Sequence, residues 1–271
     1  MDTAQINLFI AQAISAALEG GKAILEVYES DFAIEHKEDK SPLTQADKNA
    51  HEKIMELLAS TELPVLSEEG KSIPFEERNG WAHFWMVDPL DGTKEFIKRN
   101  GEFTVNIALI EGNYPIGGVI YVPVKKDLYF AHQEIGAFKV EEVPPGASEK
   151  SISDWMEAGK KLPASGGKEA FVMVGSRSHM SPETLEFMEQ MKARHGEVEV
   201  ISMGSSLKIC LVAEGIADAY PRFAPTMEWD TAAGQAIAEG AGRVITAHST
   251  GQRMQYNKED LLNDWFLVAG A

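Results

Sequence analysis

Two aspartates separated by a Pro-Leu pair stand in the segment Asp88-Pro89-Leu90-Asp91-Gly92-Thr93. The apolar and aromatic residues before it predict a buried strand, and the residues after it predict the start of a helix. Carboxylate oxygens are the hard ligands that Mg²⁺ prefers, and bound Mg²⁺ usually also contacts a substrate phosphate. Gly92 allows a tight turn and a close approach of a ligand to the backbone. The amides of Gly92 and Thr93 would face outward at the helix start, where an anion is stabilised. The segment therefore predicts a site for a phosphate ester and a divalent cation.

A simpler interpretation is open for the same residues. Asp-Pro and Asp-Gly are common turn dipeptides, so an isolated pair of aspartates at this spacing is typical of a surface turn. The complete segment after an apolar strand, with a threonine at the helix start, favours the ligand site.

The segment resembles the metal-binding signature of the inositol monophosphatase superfamily, whose members are Mg²⁺-dependent, lithium-sensitive phosphatases. The longer run from Val87 to Phe96 resembles one branch in particular, the 3′(2′),5′-bisphosphate nucleotidases of bacterial sulfate assimilation. The resemblance extends from about Gln12 to Ala233 and is weakest in residues 141–168 and at the C-terminal end.

Two further acids lie before this segment. Asp47 stands near the start of a predicted helix, where Thr44 and Asp47 fit a capping box. Glu68, the first of two adjacent glutamates, ends a short apolar strand, and paired acids at such a position are typically solvated. Because one loop separates this strand from the strand before Asp88, the sequence allows the two strand ends to be neighbours.

Polar residues also mark element ends in the second half of the chain. Asp230 precedes an Ala-rich helix, where an N-cap aspartate is common. Ser205 and Lys208 open another helix, either as an ordinary cap with a solvated lysine or as a grip on a second phosphate through N–H groups and the lysine charge. Arg222 and His179 each follow a predicted strand, where a lone histidine is typical of the surface.

The resemblance implies roles for these residues. It assigns two Mg²⁺ ions, with a third supported by Asp47, to the following ligands: Glu68, Asp88, the Leu90 carbonyl, Asp91 and Asp230. It implies that Glu68, Asp47 and Thr93 position or deprotonate the attacking water, and that the Gly92 and Thr93 amides stabilise the phosphate oxygens. The positions that it matches to contacts of a 3′-phosphonucleotide are His179, Ser205, Lys208 and Arg222, together with Asp230.

The elements that must hold these residues follow from periodicity. Apolar residues at helical spacing predict helices from Ile6 to Tyr28, with a loose spot at Gly20-Gly21, and from Leu43 to Leu57. Alternating runs between residues 104 and 140 predict an antiparallel meander. Residues 141–168 are predicted to be a linker or insertion with a short helix around its tryptophan, and strands and helices alternate afterwards, which predicts an α/β layer.

The predicted fold class is therefore α/β (α+β), a layered α/β/α/β/α sandwich of the type that the resemblance also implies. We predict two domains. Residues 1–145 form an α+β domain with the antiparallel sheet and the main metal site, and residues 146–271 form an α/β domain that completes the metal site and binds the nucleotide.

Composition limits the partners. The chain has 271 residues with 25 Lys and Arg against 42 Asp and Glu, a net charge of −17, which disfavours nucleic-acid polymers and anionic membrane surfaces. The single cysteine, Cys210, excludes an intramolecular disulfide and favours a reducing compartment. We expect no transmembrane segment and a cytoplasmic location. The resemblance alone adds a peripheral position on the cytoplasmic face of the inner membrane, and it also implies a homodimer.

The resemblance implies a Mg²⁺-dependent phosphatase that converts adenosine 3′,5′-bisphosphate to AMP and phosphate, with 3′-phosphoadenylyl sulfate as a second substrate. One alternative is an inositol monophosphatase-like enzyme for sugar or polyol phosphates. Another, from a different class, is an inactive module that senses a nucleotide or a metal.

Overall fold

The computed structural model describes residues 1–30, 34–36, 42–164, 170–175 and 180–270, with only the backbone described for 34–36 and 42–44. The first half opens with helix α1 (Thr3–Tyr28), a short hairpin of β1 (Ile34–His36) and β2 (Pro42–Thr44), and helix α2 (Gln45–Leu58). Helix α1 is long and apolar enough to pass a length-and-hydropathy test for a membrane span, but 61% of that stretch is buried inside the protein. It is thus a core helix, packed on α2 and on the large sheet.

A seven-stranded sheet forms the centre of the first half. In spatial order its strands are β3 (Val65–Ser67), β4 (His83–Asp91), β5 (Thr104–Glu111), β6 (Tyr114–Val122), β7 (Asp127–His132), β8 (Gly136–Val140) and β9 (Lys160–Lys161). Strands β4 to β9 form the antiparallel meander that the alternating runs predict, whereas β3 pairs with β4 in parallel. Short helices α3 (Phe75–Arg78) and α4 (Thr93–Ile97) flank β4.

The parallel pairing of β3 with β4 brings two predicted site residues together. Ser67 lies opposite Val87, and the Glu68 amide donates to the Val87 carbonyl at 3.1 Å. Because parallel strands end at the same edge of a sheet, Glu68 and Asp88 leave their strands side by side. The sequence only allowed this neighbourhood, and the structure confirms it.

The second half contains a five-stranded sheet with the order β11 (Val198–Ile201), β10 (Phe171–Val174), β12 (Ala219–Arg222), β14 (Phe266–Gly270) and β13 (Arg243–Ala247). Three helices accompany this sheet: α6 (Pro182–His195), α7 (Leu207–Glu214) and α8 (Glu228–Gly240). The alternation of strands and helices is as predicted, but the sequence analysis missed β14, which lies in the interior of the sheet between β12 and β13.

Two buried apolar clusters define the layers. Helices α1 and α2 cover one face of the seven-stranded sheet, where residues such as Trp85 and Val105 point. Helices α7 and α8 lie between its other face, with residues such as Met86 and Ala108, and the five-stranded sheet. Helix α6 packs on the outer side of the second sheet. The predicted α/β/α/β/α sandwich is confirmed.

The region predicted as a linker contributes to the first half. Helix α5 (Ile152–Ala158) forms around the buried Trp155 and contacts α1, and β9 pairs with β8. Both elements follow residue 145 and yet pack with the first sheet. The division of the chain into domains at that residue stays a prediction.

Two adjacent glycines of β6 let helices lie on both faces of the sheet. A Cβ on Gly118 would stand 2.6 Å from the backbone oxygen and 2.9 Å from the Cα of Ala233 in α8. A Cβ on Gly117, on the opposite face, would meet mainly the end of the Ile10 side chain of α1, at 2.5 Å. Helix α8 therefore rests directly on the strand backbone, which fixes its height above the sheet.

We expect Gly118→Ala to destabilise the protein more than Gly117→Ala, since helix backbone cannot move aside as the tip of an isoleucine can. Overpacking of this kind costs about 1–3 kcal/mol. Urea unfolding of the two variants measures the difference, and each serves as the other's control because the strand and the substitution are the same. Equal losses of unfolding free energy would contradict this account of how α8 is seated.

Candidate active site

Three aspartates from two elements meet at one end of the sandwich. Asp88 and Asp91 come from the end of β4, and Asp230 comes from the first turn of α8. One carboxylate oxygen of each lies within 4.8 Å of the others. The register of β4 on β5 shifts between Asp88 and Asp91, so the strand bulges there and both acids reach the same space.

The position of Asp230 in its helix differs from the sequence prediction. Helix α8 begins at Glu228, which places Asp230 in the third position and not at the N-cap. Its carboxylate accepts from the Met227 amide at 2.9 Å, the reciprocal half of a capping box. This bond fixes the orientation of the Asp230 carboxylate.

The carboxylates disturb one another strongly. Burial raises the pKa of Asp88 well above its ordinary value, and the charges of Glu68 and Asp91 raise it further. Smaller contributions to the same rise come from Asp230 and Asp47. Burial and the charge of Asp91 raise the pKa of Asp230 to about 8. Burial and the neighbouring negative charges both disfavour the ionised carboxylates, and a cation between them would offset both effects.

The predicted site residues line one open cavity of about 870 Å³ that extends from the cluster toward the second sheet. Those that line it are Glu68, Asp88, Leu90, Asp91, Gly92, Thr93, Ser205, Lys208, Arg222 and Asp230. Asp47 is buried behind the cavity, close enough for its charge to act on Asp88. His179 lies outside the described residues, and so does the side chain of Thr44 with its predicted cap.

The turn after Asp91 carries the predicted phosphate-contacting amides. Gly92 has a φ of +94°, a conformation that glycine adopts without strain, and precedes α4. A Cβ there would stand 3.2 Å from the Cβ of Ser205, so the two halves of the protein are close at this point. The Thr93 hydroxyl donates to the Leu90 carbonyl over a long 3.5 Å and lies at the cavity wall.

At the start of α7, carboxylates of the protein bind backbone amides that one of the two sequence interpretations assigned to a second phosphate. The Gly204 amide donates to Glu102 at 2.7 Å, and the Ser206 amide donates to Asp91 at 2.5 Å. Two of the N–H groups that could have held a second phosphate are therefore bonded to carboxylates of the protein. The lysine charge remains at this point, because Lys208 lines the cavity.

Two cations face the cavity in the second half. The Lys208 ammonium donates to the Ser205 carbonyl at 2.9 Å and lies 5.8 Å from the centre of the Tyr220 ring. Arg222 donates through Nη2 to the Pro225 carbonyl at 3.1 Å, while its buried Nε has no hydrogen-bond partner among the described residues. A buried guanidinium donor of this kind calls for an acceptor.

Sequence reasoning missed three polar residues that hold this site together: Glu102, Asn106 and Ser206. Asn106 carried a signal, because it interrupts the apolar run of a predicted buried strand, and a buried amide needs partners. Glu102 and Ser206 carried none beyond their polarity.

The chain belongs to the inositol monophosphatase family, a family of phosphatases, whose model matches residues 6–270. The family resemblance drawn from the Asp88 segment is thereby confirmed. Two curated relatives bear the name 3′(2′),5′-bisphosphate nucleotidase CysQ. That of Salmonella typhimurium is 43% identical over 96% of this chain and 98% of its own length. That of Escherichia coli K12 is 42% identical over 95% of this chain and 98% of its own length.

Solved structures agree. CysQ from Bacteroides thetaiotaomicron, described as a bacterial member of the inositol monophosphatase family, superimposes with a TM-score of 0.89 at 51% identity and 97% coverage of both chains. The IMPase of Thermotoga maritima superimposes with a TM-score of 0.70 at 22% identity, covering 94% of this chain and 89% of its own. The second likeness is one of fold alone.

The donor set at the cluster fits a hard divalent cation. It offers carboxylate oxygens from the buried Asp88 and from the half-buried Asp91 and Asp230, and the charges of the neighbouring acids disfavour ionised Asp88. The acidic cluster could thus bind a metal ion, and relief of the repulsion would couple binding to folding stability.

We expect a divalent cation to raise the unfolding temperature, and Asp88→Asn to abolish most of the rise. Mg²⁺ at a hundredfold excess over its Kd would add about 2.7 kcal/mol, roughly 5–10 °C for a chain of this size. Thermal unfolding with Mg²⁺ and with EDTA measures this shift. Glu134→Gln, which removes an exposed charge elsewhere, is the control and should keep the full rise. An unchanged rise in Asp88→Asn would show that the cation binds at another place.

Proposed function

We propose that the chain is a Mg²⁺-dependent phosphatase that removes the 3′-phosphate of adenosine 3′,5′-bisphosphate, leaving AMP. The observation that carries the proposal is the meeting of Asp88, Asp91 and Asp230 at the wall of a large cavity. The name shared by relatives that are 42–43% identical supports the choice of a nucleoside bisphosphate. We extend the proposal to 3′-phosphoadenylyl sulfate, which carries the same 3′-phosphate.

The residues that would hold two Mg²⁺ ions are Glu68, Asp88, Asp91, Asp230 and the Leu90 carbonyl, and Asp47 would support a third ion. When bound, the ions would supply charge neutralisation for the phosphoryl oxygens and a lowered pKa for a water molecule. All of these groups are oxygen ligands, which is the preference of Mg²⁺.

The protein's own groups would do the remaining work. Glu68, at the cavity wall beside Asp88, and the Thr93 hydroxyl would orient the attacking water, and Glu68 would accept its proton. The buried Asp47 would help Glu68 and Thr93 to position the attacking water. The Gly92 and Thr93 amides would donate to phosphoryl oxygens as negative charge develops on them.

A preference for substrates that carry a second phosphate requires protein side chains outside the cluster of three aspartates. Lys208 and Arg222 are cations at the wall of the same cavity, and the buried Nε of Arg222 has no described partner. We propose that they contact the nucleotide together with Ser205 and Asp230. His179 stays a prediction from the resemblance, as do the cytoplasmic location, any contact with the inner membrane and a homodimer.

We expect purified protein to release phosphate from adenosine 3′,5′-bisphosphate with Mg²⁺ and to lose this activity in EDTA. Asp91→Asn should abolish turnover, because an amide is a neutral and poorer ligand.

Li⁺ should inhibit at millimolar or lower concentration, with equal Na⁺ as the control. A panel with inositol 1-phosphate measures the choice of substrate. Higher activity on inositol 1-phosphate would favour the polyol phosphatase, and binding without turnover would favour the sensing module.

We expect Lys208→Ala and Arg222→Ala each to lower kcat/KM for adenosine 3′,5′-bisphosphate about ten- to a hundredfold. The reason is the loss of a charge-assisted hydrogen bond of about 1.5–3 kcal/mol. Both variants should keep most of their activity on a simple monophosphate that the parent accepts. An equal loss on both substrates would assign the two residues to the reaction centre or to the fold.

A further inference from the structure

A series of hydrogen-bonded, buried polar side chains runs from the middle of the protein to the cluster of three aspartates. Thr104 and Asn106 lie on β5 with exposed fractions of 0% and 1%, and Ser206, which precedes α7, has an exposed fraction of 3%. The Thr104 hydroxyl donates to Asn106 Oδ1 at 2.9 Å, and Asn106 Nδ2 lies 2.8 Å from Ser206 Oγ. Ser206 Oγ in turn lies 2.7 Å from Asp91 Oδ2.

The direction of these hydrogen bonds is fixed by chemistry. Ser206 Oγ has one proton and faces two oxygens that only accept, Asp91 Oδ2 and the Asp230 carbonyl at 2.8 Å. Its one proton goes to the stronger acceptor, the Asp91 carboxylate, which is charged and lies at the shorter distance. Ser206 Oγ must therefore accept from the Asn106 amide Nδ2. Asn106 Oδ1 then points to Thr104, whose proton it takes. Only one of the two amide orientations of Asn106 satisfies this order.

The other end of this series of hydrogen bonds also reaches the cavity. The Thr104 hydroxyl, having given its proton to Asn106, can only accept from Ser205 Oγ, 3.2 Å away. Donation therefore runs from Ser205 through Thr104, Asn106 and Ser206 to Asp91. Both of its ends line the cavity, and its middle is closed to water.

This series of hydrogen bonds fixes the orientation of the Asp91 carboxylate. Oδ2 accepts from both the amide and the hydroxyl of Ser206, at 2.5 and 2.7 Å. Two donors from one residue hold the plane of the Asp91 carboxylate, which contributes an oxygen to the cluster with Asp88 and Asp230. Groups that orient a metal ligand in this way commonly contribute ten- to a hundredfold to metal affinity.

We propose that Asn106 is a positioning residue for the metal site: acting through the Ser206 hydroxyl, its amide orients Asp91 toward the cation. The inference rests on the proposed function, because it requires that Asp91 binds a metal ion. A purely structural Asn106, which only satisfies its own burial, would affect stability and leave metal affinity unchanged.

Direct binding of Mn²⁺ to the protein without substrate, followed by electron paramagnetic resonance, separates these two roles. We expect Asn106→Leu and Ser206→Ala each to weaken Mn²⁺ binding about ten- to a hundredfold. The double variant should bind no more weakly than Ser206→Ala alone, since Asn106 acts through the hydroxyl that this change removes. Asn106→Ser, whose hydroxyl is too short to reach Ser206, replaces the leucine variant if that does not fold, as judged by thermal unfolding in EDTA.

Asn113→Ser is the matched control. Asn113 follows the opposite end of β5 and donates to the Tyr256 carbonyl at 2.7 Å, and its loss should leave Mn²⁺ binding unchanged. Folded Asn106 variants that bind Mn²⁺ as the parent does, or losses that add up in the double variant, would overturn the inference while the proposed function stands. A parent that binds no Mn²⁺ would overturn both.

Discussion

The structure depends on holding mutually repelling carboxylates at one point. Burial and the charges of the surrounding acids raise the pKa of Asp88, so the cluster contributes no stability of its own unless a cation binds to it. Its geometry must come from elsewhere. The parallel pairing of β3 with β4 delivers Glu68 beside Asp88, the irregularity of β4 delivers Asp91, and the seat of α8 on Gly118 delivers Asp230. Each of these is a backbone constraint, which side-chain repulsion cannot easily displace.

A second buried arrangement ties the segment after Glu68 to the start of α8. Arg78, with an exposed fraction of 2%, donates through its guanidinium to Asn257 Oδ1 at 2.8 Å and receives a bond on its carbonyl from Asn257 Nδ2 at 2.8 Å. The backbone N–H of Asn257 donates to the carboxylate of the fully buried Glu228, two residues before Asp230. Burial raises the pKa of Glu228, an effect that the ammonium of Lys258 opposes. One asparagine thus connects the two segments that carry Glu68 and Asp230.

The sequence predicted the layers correctly and identified acids that the structure brings close together, because both have local signals. Helical and alternating periodicity determined most elements, and the segment from Asp88 to Thr93 carried its own strand, turn and helix start. What it could not predict depends on partners distant in the chain. Arg78, for example, is buried in contact with Asn257, which lies 179 residues away in the chain. The glycines at positions 20 and 21 looked like a loose spot in a helix, but a Cβ on Gly21 would stand 2.5 Å from the Tyr121 ring, so they mark close packing. The roles of the predicted site residues stay proposals, since geometry places them without showing a ligand.

Helix α7 explains how the two halves can divide the work and still act together. Asp88 and Asp91 belong to the first sheet and Glu68 directly follows its strand β3, whereas Lys208 and Arg222 belong to α7 and β12. The helix has eight residues and is bonded to the first half at both ends. Before its N-terminus Ser206 donates to Asp91, and at its C-terminus Glu214 accepts from the Tyr129 hydroxyl at 2.8 Å and from Lys139 at 3.1 Å. A short helix fixed at two points can neither slide nor rotate independently. The position of Lys208 relative to Asp91 is therefore set by the fold. In the proposed complex, a phosphate bound through a cation at Asp91 would thus lie at a defined distance from a second phosphate bound by Lys208.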